Sequence, residues 1–261
     1  MSIAGKRGML ALRPARMGFE FGALLDRPNL PALPQRFGHV LAQPPGGFGM
    51  LGNDKVSNCV CAGGVHEVMV HHIATQRPIP PFSTPTALRE YSKMLVAQGG
   101  LAYDAADRKT DTGLDPLQVA MFRQRTGITD DAGGVHKVRA FAGVRDLNDA
   151  MYATWFMGVA GLGLMLPNSA EKQFSAGHIW DDLRSAPQPS NGHYIVLVDR
   201  RRDGNLVVLT WGRLHAATPE YIMRYWAGAI AYLSEEYMLA SGVSPEGFKL
   251  EVLANYLKDI S

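Results

Sequence analysis

The chain has 261 residues, of which 46% are hydrophobic and 19% charged, a composition that is typical of a globular protein and excludes a disordered or fibrous chain. Its formal net charge of +2 excludes nucleic acid or an anionic membrane as the main partner, because both usually require Lys and Arg clustered on one face. Residues 1–22 hold no uninterrupted apolar run of the roughly 7 to 15 residues that a signal peptide needs, so we expect no signal peptide and a cytoplasmic protein.

The first segment, residues 1–50, is rich in proline and poor in periodicity. Its prolines stand at Pro14, Pro28, Pro31, Pro34, Pro44 and Pro45. No helical or strand period is sustained between them, which predicts an extended Pro-rich N-terminal arm rather than a domain. The arm either wraps the surface of its own domain or makes contacts with a neighbouring protein, and composition does not separate the two.

From residue 51 the pattern becomes helical. Apolar side chains recur at helical spacing after Cys59 and predict a helix from there to Gln76, with Ser57 or Asn58 as its N-cap. Further helices are predicted over 84–98, 115–126 and 147–157. They form a helical first half.

The second half favours strands. Strands are predicted over 158–166, 193–199 and 205–211, the last two separated by the turn sequence RRRDGN. A helix near 219–227, a strand or short helix near 230–239 and a terminal helix over 245–258 complete the chain. Helices first and strands second, without regular βαβ alternation, predict an α+β fold. We assign residues 51–240 to one domain and 241–261 to a C-terminal helical extension.

The chain has two cysteines, Cys59 and Cys61, separated by one residue. A mutual disulfide is sterically poor if both lie on a helix, so free thiols in a reducing compartment are expected. A CxC pair can also bind metal, but a structural site needs four ligands and only the adjacent His71 and His72 stand near in the sequence. The sequence therefore predicts no metal and no cofactor.

Cys59 is a candidate nucleophile because of its place in the helix. A helix N-terminus favours the thiolate, which is the reactive form of cysteine. The structural alternative is a buried core residue, since free cysteines are commonly buried, and this is the interpretation given to Cys61. His193 follows Cys59 by 134 residues and opens a predicted strand, an order found in enzymes with a cysteine nucleophile.

Three motifs accompany this pair: LGNDKVSNC at 51–59, NGH at 191–193 and LTWG at 209–212. With them, the chain resembles the papain-like cysteine peptidase fold and, more narrowly, uncharacterised papain-like proteins of phages and bacteria that carry GNDxxGDC, GGH and a TWG strand. The resemblance extends from about Met50 to Met238. It implies an N-terminal helical layer whose nucleophile helix packs on a C-terminal antiparallel sheet.

The resemblance also implies the remaining site residues. Asn53 stands where the family has a Gln that donates to the oxyanion, and it offers the same amide on a shorter stem. The family's Asn that orients the catalytic His is replaced by Leu209, which cannot do so. Thr210 is the candidate substitute, and Asp181 or Asp182 can approach from the loop before His193.

Two functions are compatible with these residues. The first is a cysteine hydrolase in which Cys59 attacks a peptide or amide bond and His193 transfers the proton, with a peptide or protein as substrate. The second is a catalytically inactive papain-like scaffold, a structural or assembly component such as a phage virion protein, with the N-terminal arm making contacts to its neighbours.

Two further features are given structural interpretations. His66 lies about 10 Å along the predicted helix from Cys59 and is expected to be a packed structural histidine. The segment DTGLD at 111–115 resembles part of a calcium-binding loop but lacks the remaining ligands, so we interpret it as a loop beside the cleft.

Overall fold

The structure is a computed structural model that describes residues 8–12, 20–25, 28, 30–40, 43–239 and 241–247. Six helices lie in these residues: α1 (Cys59–Ala74), α2 (Thr84–Ala97), α3 (Pro116–Arg125), α4 (Leu147–Met157), α5 (Ser169–Ala176) and α6 (Pro219–Arg224). The strands are β1 (Phe37–Gly38), β2 (Ile128–Thr129), β3 (Val135–His136), β4 (Ala140–Val144), β5 (Ala160–Met165), β6 (Gly192–Arg200), β7 (Leu206–Thr210), β8 (Arg213–Ala217) and β9 (Trp226–Leu233).

One antiparallel sheet organises the domain. Its strands follow the order β4-β9-β5-β6-β7-β8, and β1 pairs with β6 outside this path. The strand β6 is buried along almost its whole length, because helix α1 covers one of its faces and a second apolar core lies on the other. The predicted α+β fold, with the Cys59 helix packed on a C-terminal antiparallel sheet, is confirmed.

Helix α1 lies unusually close to β6. A Cβ atom at Gly63 would stand 2.5 Å from the ring of Tyr194, a distance that side chains do not tolerate. The glycine therefore allows the helix to touch the strand at the residue that follows His193. This small residue is how the sequence brings the Cys59 helix to the start of β6.

The N-terminus of α1 differs from the prediction in one respect. Asn58 holds the N-cap position but makes no side-chain cap, since its Nδ2 donates to the Leu51 carbonyl at 2.9 Å. Ser57 donates instead to Asp111. The predicted side-chain cap is wrong, and the backbone amides of Cys59 and Val60 remain to hydrogen-bond the Cys59 sulfur.

Most of the other predicted elements are confirmed, but the structure also contains elements that were not predicted. The four predicted helices of the first half and the three predicted strands are confirmed within a few residues. The ambiguous segment near 230–239 holds the end of strand β9, as far as Leu233, and then the 3-10 turn Glu235–Tyr237. The short strands β1, β2 and β3, the strands β4 and β8 and the helix α5 were not predicted. Most of the predicted terminal helix, over 245–258, lies outside the described residues. None of the described helices combines the length and the apolar character needed to cross a membrane.

Three buried histidines make the fold sensitive to acid. Burial lowers the pKa values of His66, His71 and His215 to about 4, so the unfolded chain binds these protons first and stability falls as pH drops from 6.5 toward 4. We expect His71→Leu to reduce the loss of unfolding free energy between pH 7 and pH 4.5 by about 2 kcal/mol. Urea unfolding at both pH values measures this, and an equal loss in both proteins would contradict it.

Candidate active site

Cys59 lies at the first position of α1 and is 2% exposed. Its sulfur is surrounded by backbone amides rather than by charged side chains. The Gly8 amide donates to Sγ at 3.3 Å, and the amides of Tyr194 and Val60 are directed at the same atom. Because Tyr194 directly follows His193, the sulfur lies at the contact between α1 and the start of β6.

His193 is held from two sides. Its Nε2 lies 2.8 Å from Thr210 Oγ1 on the neighbouring strand β7. The ring of Trp211 stacks on the imidazole with centroids 4.6 Å apart. Thr210 and Trp211 are the first two residues of the TWG motif. Together they fix the plane of the imidazole ring, and the indole covers the hydrogen bond between His193 and Thr210.

The residue that contacts the imidazole is thus Thr210 and not Leu209. Leu209 pairs with Val196 in the sheet and is buried in the core under α1. Thr210 ends β7, and Trp211 then takes a positive φ of 45°. This turn places the threonine hydroxyl and the indole on the same histidine.

The two aspartates considered as partners of His193 have other contacts. Asp181 accepts a hydrogen bond from Gln173 at 2.7 Å. Asp182 accepts from Arg184 at 2.8 Å, and this pairing lowers the pKa of Asp182 to about 2. Both are engaged on the loop between α5 and β6.

Asn53 lies in the turn that leads into α1 and is 2% exposed. Its Nδ2 donates to the Val56 carbonyl at 3.1 Å, which closes the turn. The amide thus stands on the loop that delivers Cys59 to the helix.

Residues 8–10 of the predicted N-terminal arm run across the site, a position that the sequence did not indicate. The Met9 amide donates to the carbonyl of Gly192, the residue before His193, at 3.2 Å. On the opposite side, Leu114 exchanges two hydrogen bonds of 2.9 Å with Gly8 and Leu10. Residues 8–10, which we call the covering segment, therefore fill the groove between the 111–115 loop and β6.

Two glycines and a methionine fit the covering segment into this groove. A Cβ atom at Gly8 would lie 1.9 Å from the Ser57 carbonyl oxygen, and one at Gly113 would lie 2.2 Å from that of Gly8. The Met9 side chain reaches the backbone of Gly163, where its sulfur would stand 2.7 Å from an added Cβ. No sequence pattern predicts this fit, because it depends on glycines, whose lack of a side chain lets the backbones approach closely.

The buried surroundings of the Cys59 thiol, which include the Gly8 amide of the covering segment, shift its pKa. Burial raises the pKa of Cys59 to about 11, against a smaller lowering by the amides of Tyr194, Gly8 and Val60. The neutral thiol is therefore strongly favoured at pH 7.

Solved structures share this architecture. Xylellain, a cysteine protease from Xylella fastidiosa, superposes with a TM-score of 0.61 at 11% identity, over 88% of this chain and 97% of that chain. Procathepsin B S9 from Trypanosoma congolense gives 0.58 at 9% identity, over 88% and 87%. Digestive procathepsin L 3 of Tenebrio molitor larval midgut gives 0.56 at 10% identity, over 89% and 77%.

The likeness lies in structure and not in sequence. No protein-family model and no curated protein sequence matches the chain. At these identities the superpositions define the fold alone. The chain has the fold of the papain-like cysteine proteases, with Cys59 at the start of its central helix.

Proposed function

We propose that the protein is a cysteine hydrolase that cleaves a peptide or amide bond through Cys59 and His193. The observation that carries this proposal is the arrangement at the contact of α1 and β6. A cysteine at a helix N-terminus lies beside a strand whose second residue is a histidine, and that histidine is positioned by Thr210 and Trp211. A nucleophile, a base and a residue that orients the base are the parts that thiol acyl transfer needs.

The reaction would proceed in two acyl-transfer steps. His193 Nδ1 takes the proton of Cys59 because Nε2 is engaged by Thr210, and the thiolate attacks the carbonyl carbon. The protonated imidazole then gives its proton to the leaving amine, and an acyl-thioester remains. Water attacks the thioester with His193 as base and releases the acid. Asn53 and the Cys59 amide are proposed to donate to the oxyanion.

The covering segment indicates how a substrate would bind. It uses the carbonyl of Gly192 and both backbone groups of Leu114, groups that any extended peptide can use in its place. Met9 also occupies a site against the backbone of Gly163, which suits an unbranched apolar side chain. We infer that the substrate is an extended peptide chain and that the segment must leave before it binds.

Hydrolysis of fluorescently labelled casein tests this proposal. Gly8→Val, which cannot hold the covering segment in place, should cleave casein, and Gly8→Val combined with Cys59→Ala or with His193→Ala should lose at least about a thousandfold in rate. Equal residual rates in all three proteins would refute the assignment of Cys59 and His193. The inactive scaffold, such as a virion component, finds no support in the comparisons and is not proposed.

Thr210→Val should lower kcat by about 10-fold to 100-fold with little change in KM, because valine keeps the shape and loses the hydroxyl that orients His193. Thr210→Ser restores a hydroxyl and should recover most of the rate. Both substitutions are made in the Gly8→Val protein and followed by steady-state kinetics. An unchanged kcat in Thr210→Val would remove this residue from the machinery.

A further inference from the structure

A cluster of ligand-type side chains lies at the end of α1 that is remote from Cys59. It comprises His72 in the last turn of α1, His136 in β3 and Glu236 in the 3-10 turn Glu235–Tyr237. One nitrogen or carboxylate oxygen from each lies within 4.8 Å of those of the other two. Thirteen residues separate Cys59 from His72, or about 20 Å of helix, so this cluster is separate from the candidate active site.

The orientation of His72 leaves a lone pair facing the centre of the cluster. Its Nδ1 lies 2.7 Å from the Pro78 carbonyl oxygen, which only accepts, so Nδ1 carries the proton. In the neutral ring, Nε2 then has its lone pair exposed to the cluster. This nitrogen is buried and lies 3.7 Å from Glu236 Oε1.

His136 repeats this arrangement with a carboxylate. Its Nε2 lies 3.2 Å from Asp130 Oδ2, and the other oxygen of this carboxylate, Oδ1, accepts hydrogen bonds from the amides of Ala132 and Gly134. In the neutral ring Nε2 therefore donates to Asp130, and the lone pair of Nδ1 points at Glu236 Oε1, 2.5 Å away. The two atoms can share a proton at this distance, and a metal ion bound to the cluster would take the place of that proton.

We propose that His72 Nε2, His136 Nδ1 and the Glu236 carboxylate bind one divalent transition-metal ion of the Zn²⁺ type. Two imidazole nitrogens and one carboxylate form a ligand set that suits zinc, whereas calcium and magnesium prefer oxygen alone. The outer hydrogen bonds, from His72 to a carbonyl and from His136 to a carboxylate, are those that orient histidine ligands in zinc sites. Water would complete a four-coordinate ion.

The site would join three parts of the chain that are distant in sequence. It would fasten the end of the Cys59 helix to β3 and to the turn that follows β9. The intervals of 64 residues from His72 to His136 and of 100 from there to Glu236 form no metal-binding motif. The sequence prediction of no metal rested on spacing, because neither the cysteine pair nor the histidines, His72 and His136 included, show paired ligand spacing.

Cobalt(II) titration of the metal-free full-length protein tests the proposal directly. We expect one equivalent of Co²⁺ to give visible absorption bands of a four-coordinate or five-coordinate ion, and one equivalent of Zn²⁺ to displace it. The near-ultraviolet band of cobalt bound to thiolate should be absent, which separates this site from Cys59 and Cys61. His72→Gln and Glu236→Gln should each weaken binding at least about tenfold.

The matched control is His178→Gln, which changes an exposed histidine outside the cluster and should bind as the unaltered protein does. Asp130→Asn, which alters only the outer contact of His136, should weaken binding by about 10-fold to 100-fold. Glu236→Gln can still hydrogen-bond His136, so circular dichroism should show it folded. Absence of stoichiometric Co²⁺ binding would overturn the proposal and would mean that a shared proton occupies the cluster. Binding of Co²⁺ by His72→Gln and Glu236→Gln as tight as that of the control would overturn it as well.

Discussion

Gly8→Val is expected to raise the rate of Cys59 alkylation by iodoacetamide at pH 8 by about 10-fold to 100-fold. A side chain at residue 8 would collide with the Ser57 backbone, since even a Cβ lies 1.9 Å from its carbonyl oxygen, so the covering segment must move away from the sulfur. Burial now holds the pKa of Cys59 at about 11. A return to the ordinary value of about 9 would by itself increase the thiolate fraction at pH 8 about 100-fold, and an ion pair with His193 would lower the pKa of the uncovered thiol further.

Leu10→Ala is the matched control for this experiment. Leu10 belongs to the same segment, but its side chain is 43% exposed, and its substitution leaves the backbone hydrogen bonds intact. Every protein in the series carries Cys61→Ala, so that mass spectrometry follows Cys59 alone. A rate in Gly8→Val equal to that in Leu10→Ala would show that the segment does not shield the thiol.

Arg123→Met is expected to lower the free energy of unfolding by about 3 to 5 kcal/mol. Arg123 and Glu67 form an ion pair in which both side chains are almost completely buried. The Tyr194 hydroxyl donates to Glu67 at 2.8 Å, and the guanidinium lies 4.4 Å from the centre of the Tyr232 ring. Loss of the arginine would leave a buried carboxylate without its counter-charge, at the contact that holds α1 against β6.

The double variant Glu67→Leu with Arg123→Met separates the charge from the packing. It removes both charges, so its unfolding free energy should exceed that of Arg123→Met alone by about 1 kcal/mol or more. Urea unfolding at pH 7 measures all three proteins. A cost below about 1 kcal/mol for the single substitution would mean that water reaches Glu67 and that the pair is not the anchor of α1.

The helices of the first half could be predicted because their signals are local. Helices α2 and α3 begin where Ser83 and Asp115 accept hydrogen bonds from the next turn, with a proline inside the first turn of each. Strands β6 and β7 are apolar and separated by a turn sequence. By contrast, β8 consists of RLHAA, which has no alternation, and becomes a strand only because β7 offers it a pairing edge.

The residues of the candidate site that belong to sequence motifs could be predicted. The segment that is placed by close packing of the backbone could not. Cys59 and His193 could be found from helix position, order and spacing. Thr210 was named as the partner of His193, although its register was fixed only by the turn at Trp211. The covering segment binds through backbone hydrogen bonds, and it fits because Gly8 has no side chain. Neither feature produces a periodic or charged pattern in the sequence.

The pH dependence of Cys59 alkylation, in Gly8→Val with Cys61→Ala and in the same protein with His193→Ala, tests the central claim most directly. If Cys59 and His193 are nucleophile and base, the uncovered thiol should react well below pH 8 and should lose that reactivity when the histidine is removed. Superimposable profiles with the ordinary cysteine pKa in both proteins would contradict the proposed catalytic pair.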